Sequence, residues 1–256
     1  MTVTELVLVR HGQSTGNVAR EHALAQGSEV IEIDRRDPDV PLTSLGERQA
    51  RALGSALRAA STRPPQAVIS SPYLRARQTA ELALEAAGLD RRILLDERLR
   101  DRELGVLDLL TATGVANRWP EEAVRRRWLG KLYYRPPGGE SWADVALRLR
   151  SFLRDLDAAA AGSERVLVVS HDAVIMLLRY VCEGWDEKTL METVAATEVA
   201  NASVTRLVRT EADHELWSAS AFNLVDHLEA APAGPDQVDG GAPGVRVEGR
   251  HVSDVG

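Results

Sequence analysis

The chain has a single cysteine, Cys182, among 256 residues. One thiol can form no internal disulfide and supply no cysteine-based metal cluster, and it suits a reducing, cytoplasmic setting. A surplus of positive charge is also missing: 31 Lys and Arg stand against 38 Asp and Glu, a formal net charge of −7. That balance argues against nucleic-acid binding through a broad basic surface, because neutralising phosphates needs clustered cations. No apolar run approaches the roughly 18–20 residues of a membrane span. The N-terminus enters a strand-like run at once, without the basic segment and long apolar stretch of a signal peptide. Internal repeats are absent. What the chain does have is 44% hydrophobic residues, enough for one sizeable core or at most two small ones.

Two short runs, "ELVLV" (5–9) and "RVLVVS" (165–170), are apolar and β-branched without alternation, and "QAVIS" (66–70) is a weaker third. Such runs read as strands buried on both faces, which favours a mostly parallel sheet covered by helices. Helical patterns lie between and after them. Residues 42–60 open on a Thr/Ser cap and place apolar residues at 45, 50, 53 and 57 on one face. Residues 72–88 begin with proline and end with glycine. Residues 141–162 form a longer helix, and the nearly all-apolar 173–184 reads as a buried one. Residues 201–210 and 215–223 read as late strands, possible partners in a hairpin and an open edge. The expected fold is α/β, a three-layer αβα sandwich with a mostly parallel central sheet, over residues 1–230. Two stretches fall outside it: 19–41, read as an insertion or lid, and 231–256, rich in Gly and Pro and read as a disordered tail.

The strand ends carry the chemistry. Ligands of open α/β sheets sit beyond the carboxyl ends of the strands. Here those ends read Arg10-His11-Gly12, then "SSPYLRARQT" (70–79) with Arg75 one turn into the following helix, then Ser170-His171-Asp172. Two histidines and two arginines on one edge suit a phosphate. Arginine grips phosphate oxygens with a planar fork. A neutral imidazole serves as a nucleophile near pH 7, and a charged one holds an anion. Gly12 lets the backbone approach a ligand closely.

At these residues the sequence resembles a known family. "RHGQSTGN", "LTSLGERQA", "SSPYLRARQTAE", "PPGGESWADV", "VVSHD" and "NASVT", in that order, resemble the ordered motifs of the histidine phosphatase superfamily, the phosphoglycerate mutase-like proteins. The resemblance runs from about residue 5 to 225. It implies that His11 attacks phosphorus to become a phosphohistidine. It implies that Arg10, Arg75 and His171 complete the phosphate pocket, and that Asn17 contacts the transferred group. It also implies that no metal ion or other cofactor takes part.

The leaving alkoxide needs a proton, which a carboxyl group can supply. "DERLRDRELG" (96–105) resembles the family's Leu-Arg-Glu segment, whose glutamate is the donor. In register that position is Asp101, one methylene shorter, with Glu103 as the alternative. Either needs a raised pKa in the loaded site. Asp172 stands where relatives often carry glycine. It either orients His171 or points away from the anion. "LGVLD" (104–108) replaces an aromatic-rich stretch within 96–140, the region expected to set substrate specificity. Lys131, Tyr134 and Arg135 lie in a basic, aromatic run. They read either as the pocket mouth or as a solvated helix face before a Pro-Gly turn. Three functions fit: a phosphomonoester phosphatase on a small phosphorylated metabolite, a phosphoglycerate-type mutase, or a non-catalytic phosphate-binding module. The expected assembly is a monomer or homodimer.

Overall fold

The computed structural model describes residues 2–59, 64–209 and 217–229. The elements in chain order are β1 (Glu5–Arg10), α1 (Thr15–Ala25), α2 (Ser44–Ala59), β2 (Ala67–Ser70), α3 (Leu74–Ala87), β3 (Ile93–Leu95), α4 (Ala112–Arg118), α5 (Pro120–Tyr133), α6 (Trp142–Ala159), β4 (Arg165–Ser170), α7 (Asp172–Cys182), α8 (Glu187–Ala196), β5 (Val204–Arg209), β6 (Trp217–Leu224) and α9 (Asp226–Glu229). One six-stranded sheet has the order β3-β2-β4-β1-β5-β6. The first four strands of that order run parallel, and β5 and β6 add antiparallel on the far edge. The fold is thus the mixed α/β sandwich expected, with the late strands paired to each other. Their connection, 210–216, and the tail 231–256 lie outside the described residues.

The continuous apolar runs follow from burial on both faces. Leu6, Leu8, Val166 and Val168 face α6 and α7, where Leu149, Phe152, Ile175 and Leu178 meet them. Val7, Val9, Leu167 and Val169 face α2 and α3, against Leu53, Leu57, Ala80 and Leu84. Each large apolar side chain so buried contributes roughly 1.5–3 kcal/mol relative to exposure. Side-chain caps start several helices: Ser14 and Asn17 form a reciprocal box at α1, and Ser141 and Asp144 another at α6. Gly88, at φ 67°, ends α3 as a left-handed cap. On α2, Leu45 is 40% exposed and Gly46 takes its place on the inner face. Among the described residues, no helix is long and apolar enough to cross a membrane.

Two segments frame the sheet's carboxyl edge. The stretch 19–41 is partly helical: 19–25 complete α1, while Asp37–Asp39 make a 3-10 turn. After β3, Asp96 caps a 3-10 turn at Glu97–Leu99. A further turn at Gly105–Leu107 then packs its backbone on the Pro-Pro-Gly-Gly run. Gly105 has φ 57°, and a Cβ there would lie 2.1 Å from the Pro137 carbonyl. The "LGVLD" stretch thus relies on backbone contact with the Pro-Gly run, and only glycine fits its tightest point.

Candidate active site

The register Arg10↔Ser170 aligns the ends of β1 and β4, and the His11 N–H donates to the Ser170 carbonyl at 2.9 Å. The next residue on each strand is a histidine. The rings of His11 and His171 stand edge to face with centroids 5.2 Å apart, and both side chains are buried. β2 lies on the other side of β4. Its exit supplies Ser71, whose hydroxyl is 2.9 Å from His171 Nε2, and leads into α3, which carries Arg75.

The proton on His11 is placed by its neighbours. Nδ1 lies 2.7 Å from the Gly12 carbonyl oxygen, which can only accept, so Nδ1 carries the hydrogen. Nε2 is left with its lone pair and accepts from Arg75 Nε at 3.3 Å. Burial, then the charges of Arg75, His171 and Arg10, hold the pKa of His11 well below 6.5. The ring is neutral near pH 7, with its free lone pair on the Arg75 side.

Arg75 is 4% exposed, and its N–H groups are distributed among three residues. Besides His11, Nη1 donates to the Asp37 carbonyl at 2.7 Å and to Asp37 Oδ1 at 2.9 Å. Nη2 donates to Asp37 Oδ2 at 3.3 Å and to Asp101 Oδ2 at 3.2 Å. The guanidinium also lies over the Tyr73 ring, 5.1 Å from its centroid.

Asp101 Oδ2 is also 3.2 Å from His171 Nδ1, close enough for charge pairing but without hydrogen-bond alignment. Its Oδ1 accepts from the Arg102 N–H at 2.9 Å. Burial raises the Asp101 pKa, but His171, Arg75 and the Arg102 N–H outweigh it and hold the carboxyl well below the usual carboxylate range. These protein groups alone hold Asp101 ionised, opposite to the raised pKa that a proton donor needs. Burial lowers the His171 pKa, against the pull of Asp101. Arg148 donates to the Asp101 carbonyl at 3.1 Å and to Glu140, fixing the backbone behind this carboxylate.

Arg10 is buried, donates through Nη1 to the Val199 carbonyl and keeps Glu198 at 3.7 Å. Its Nε has no hydrogen-bond partner among the described residues. The Asn17 amide oxygen accepts from Ser14 N–H at 2.9 Å, Ser14 Oγ at 3.0 Å and Asn201 Nδ2 at 3.3 Å. With the oxygen engaged, the Asn17 NH₂ is the end offered to a ligand. Asn201 also donates to the His11 carbonyl at 3.0 Å, so it ties α1 to the strand end.

The remaining expected residues are engaged with other protein groups. Gly12 is crowded by protein: its N–H donates to Thr79 Oγ1 at 3.0 Å, and a Cβ would lie 2.5 Å from the Gly46 carbonyl oxygen. Glu103 accepts from the Tyr73 hydroxyl at 2.9 Å and is half-exposed. Tyr134 is buried, with its hydroxyl donating to Glu122 at 2.8 Å. Arg135 pairs with Asp144 through Nε at 2.7 Å. Lys131 Nζ sits 4.8 Å from the Trp142 ring centroid. The Asp172 carboxylate turns onto the Ala173 N–H of its own helix. Sequence reading missed Asp37, Ser71, Tyr73 and Asn201. Ser71, Tyr73 and Asn201 fall inside quoted motifs, but Asp37 sits in a polar stretch with nothing to single it out. Among the described residues, no group of three His, Cys, Asp or Glu side chains is arranged to hold a metal ion.

Comparison with known proteins gives a consistent picture. The family model described as histidine phosphatase superfamily (branch 1) matches residues 6–223. A 2,3-bisphosphoglycerate-dependent phosphoglycerate mutase of Gloeobacter violaceus is 35% identical over 193 residues, 73% of this chain and 81% of its own. The mycobacterial glucosyl-3-phosphoglycerate phosphatase aligns at a TM-score of 0.68 and 29% identity, over 87% of this chain and 99% of that one. The α-ribazole phosphatase of Shigella flexneri, 20% identical, shares the fold at a TM-score of 0.68 over 86% of this chain and 96% of that one.

Proposed function

We propose that this chain, which belongs to the histidine phosphatase superfamily (branch 1), is a phosphomonoester phosphatase that works through a phosphohistidine on His11. The observation that carries the reading is the His11 tautomer. Its hydrogen is held on Nδ1 by the Gly12 carbonyl, and the Nε2 lone pair faces a guanidinium, the partner of a phosphoryl group.

In the first step Nε2 attacks phosphorus. The P–N bond forms as the P–O bond to the leaving group breaks, and the carboxyl of Asp101 gives its proton to the departing oxygen. Arg10, Arg75, His171 and the Asn17 NH₂ hold the three non-bridging oxygens, so the protein supplies mainly position and charge. In the second step Asp101, now a carboxylate, takes a proton from water as the water oxygen attacks phosphorus. The P–N bond breaks, returning neutral His11 and inorganic phosphate. Asp101 on its own is held ionised because His171 and Arg75 stabilise its charge. An arriving phosphoryl dianion engages both Arg75 and His171 and adds negative charge beside the carboxyl. Both changes raise its pKa toward the donor form.

Hydrolysis is favoured over mutase chemistry by what surrounds Arg75. A phosphoglycerate carries a second anionic group, whereas the nearby carboxylates, Asp37, Glu103 and Asp108, repel one. Burial, together with Asp37 and Glu103, raises the pKa of Asp108. The cations once expected at the mouth are engaged with Asp144 and Trp142. The substrate class is a small phosphorylated metabolite, with no nucleic-acid or membrane partner. The test is phosphate release across a panel of phosphorylated metabolites, run beside an isomerisation assay with a bisphosphate primer. Phosphate release that vanishes in His11→Ala is expected. Primer-dependent isomerisation faster than phosphate release makes the chain a mutase instead.

A further inference from the structure

Arg75 has no donor left for a phosphate while its protein partners are in place. A guanidinium offers five N–H groups. All are used: one by His11 Nε2, one by Asp101 and three by Asp37, through its carbonyl and both carboxylate oxygens. The two-pronged grip of Asp37 on Nη1 and Nη2 is the grip a phosphoryl group requires of the same arginine. Two anions cannot share one face of the fork, so binding through Arg75 requires a partner to leave.

The geometry identifies the partner that leaves. Asp101 is tied behind by the Arg102 N–H and by Arg148 on its own carbonyl. His11 is fixed by Gly12 and by its strand. Asp37 sits at the tip of a short excursion. Arg35 and Arg36 beside it are exposed, and its own side chain is 40% exposed. The excursion is anchored at both ends. Ile31 N–H bonds the Leu109 carbonyl at 2.8 Å on one side. Buried Val40 and the Pro41 carbonyl, which accepts from Thr15 N–H at 3.0 Å, hold the other. The tip's internal bonds, Asp39 N–H to the Arg36 carbonyl at 2.9 Å and the Arg36–Asp39 ion pair, travel with it.

We infer that Asp37 is a resident competitor for the phosphoryl subsite: it fills the Arg75 fork between turnovers, is displaced by the substrate phosphoryl group, and drives out inorganic phosphate when it returns. This rests on the phosphatase reading of the site. The consequence is an affinity threshold. Single carboxylates gain nothing by replacing a carboxylate already in place. A phosphoryl dianion also meets Arg10, His171 and Asn17, and so wins the exchange. After hydrolysis the same competition weakens retention of the product.

The test is the dissociation constant of inorganic phosphate, by calorimetry at fixed ionic strength, for wild type, Asp37→Asn, Asp37→Ala and Arg75→Ala. Removing the competitor tightens phosphate binding by about tenfold or more, further in Asp37→Ala than in Asp37→Asn, because asparagine keeps one acceptor. Unchanged or weaker binding in both variants overturns the inference and makes Asp37 a residue that merely positions Arg75. Thermal melts check that the variants fold. On wild type alone, the ¹³C shift of the Asp37 carboxyl is expected to move on saturation with phosphate, because the carboxylate loses its Arg75 partner, and an unmoved shift contradicts the displacement. The two levels of failure separate cleanly. Phosphate binding that Arg75→Ala abolishes but Asp37 substitutions leave alone removes this inference and spares the phosphatase. Wild-type protein that binds no phosphate removes both.

Discussion

A histidine can attack phosphorus only through a nitrogen that keeps its lone pair, and at His11 the local bonds leave that role to Nε2. The Gly12 carbonyl fixes the hydrogen on Nδ1, while burial and three neighbouring positive or ionisable groups oppose protonation. The sign is plain: protonation removes the nucleophile, so activity is lost as pH falls through the His11 pKa, and that pKa is lowered. In the free protein at pH 6.5, ring ¹⁵N shifts are expected to show neutral His11 with Nδ1 protonated. An imidazolium at that pH contradicts this. Asp101 and Glu103 are separable at the same scale. Asp101 touches Arg75 and His171, whereas Glu103 is spent on the Tyr73 hydroxyl. Asp101→Asn should cost kcat a factor of about 10²–10⁴ on substrates with poor leaving groups, and much less on aryl phosphates, whose leaving group needs no proton. Glu103→Gln should change kcat by less than about threefold. The reverse ranking moves the acid to Glu103.

The elements matter because they deliver these residues to one place. Helix α3 carries Arg75 and Thr79, and it rests on α2 through backbone contact rather than side-chain bulk. A Cβ at Gly54 would lie 2.2 Å from the Ala83 carbonyl. Gly54→Ala therefore forces the helices apart. The expected cost is roughly 1–3 kcal/mol of stability, read from urea denaturation, together with weaker phosphate binding as Arg75 moves. Unaltered stability means the contact relaxes freely. The same crowding explains Gly12. The sequence suggested a glycine facing ligand, but its tight neighbour is Gly46, where a Cβ would itself lie 2.0 Å from the Gln13 carbonyl oxygen. Pattern reading reveals a glycine's freedom, not which chain it touches. Likewise β1, β2 and β4 were legible because burial on both faces leaves an unbroken apolar run. Three-residue β3, with Leu95 53% exposed, has too little pattern to detect. Tyr134 read either as a mouth residue or as part of a solvated helix face, because a basic run surrounds it. Its buried acidic partner, Glu122, is not visible in that run.

At the scale of the whole molecule, the order β2-β4-β1 puts three parallel strand ends side by side, which gathers residues 10, 11, 75 and 171 on one edge. The sequence carried this much, because each strand end announced its own chemistry. It did not carry Asp37, whose link to Arg75 spans 38 residues of chain without any periodic signal. Gathering titratable groups in a buried site also ties stability to pH. His11, His171 and His227 have pKa values lowered by burial, so unfolding takes up protons below pH 6.5. Their contribution is fully present above 6.5 and is lost as pH falls toward the lowered values. Asp101 adds the same sign below its ordinary range near 3.8. The unfolding free energy should fall from pH 7 to 5, and His11→Gln should flatten that slope. A slope that His11→Gln leaves unchanged denies burial of a neutral ring there.

The most direct measurement is trapping with a ³²P-labelled phosphomonoester, quenched in alkaline detergent. Wild-type protein should retain an acid-labile, base-stable label at His11, and His11→Ala should retain none. No label in wild type during turnover, or equal label in His11→Ala, contradicts covalent transfer to this imidazole.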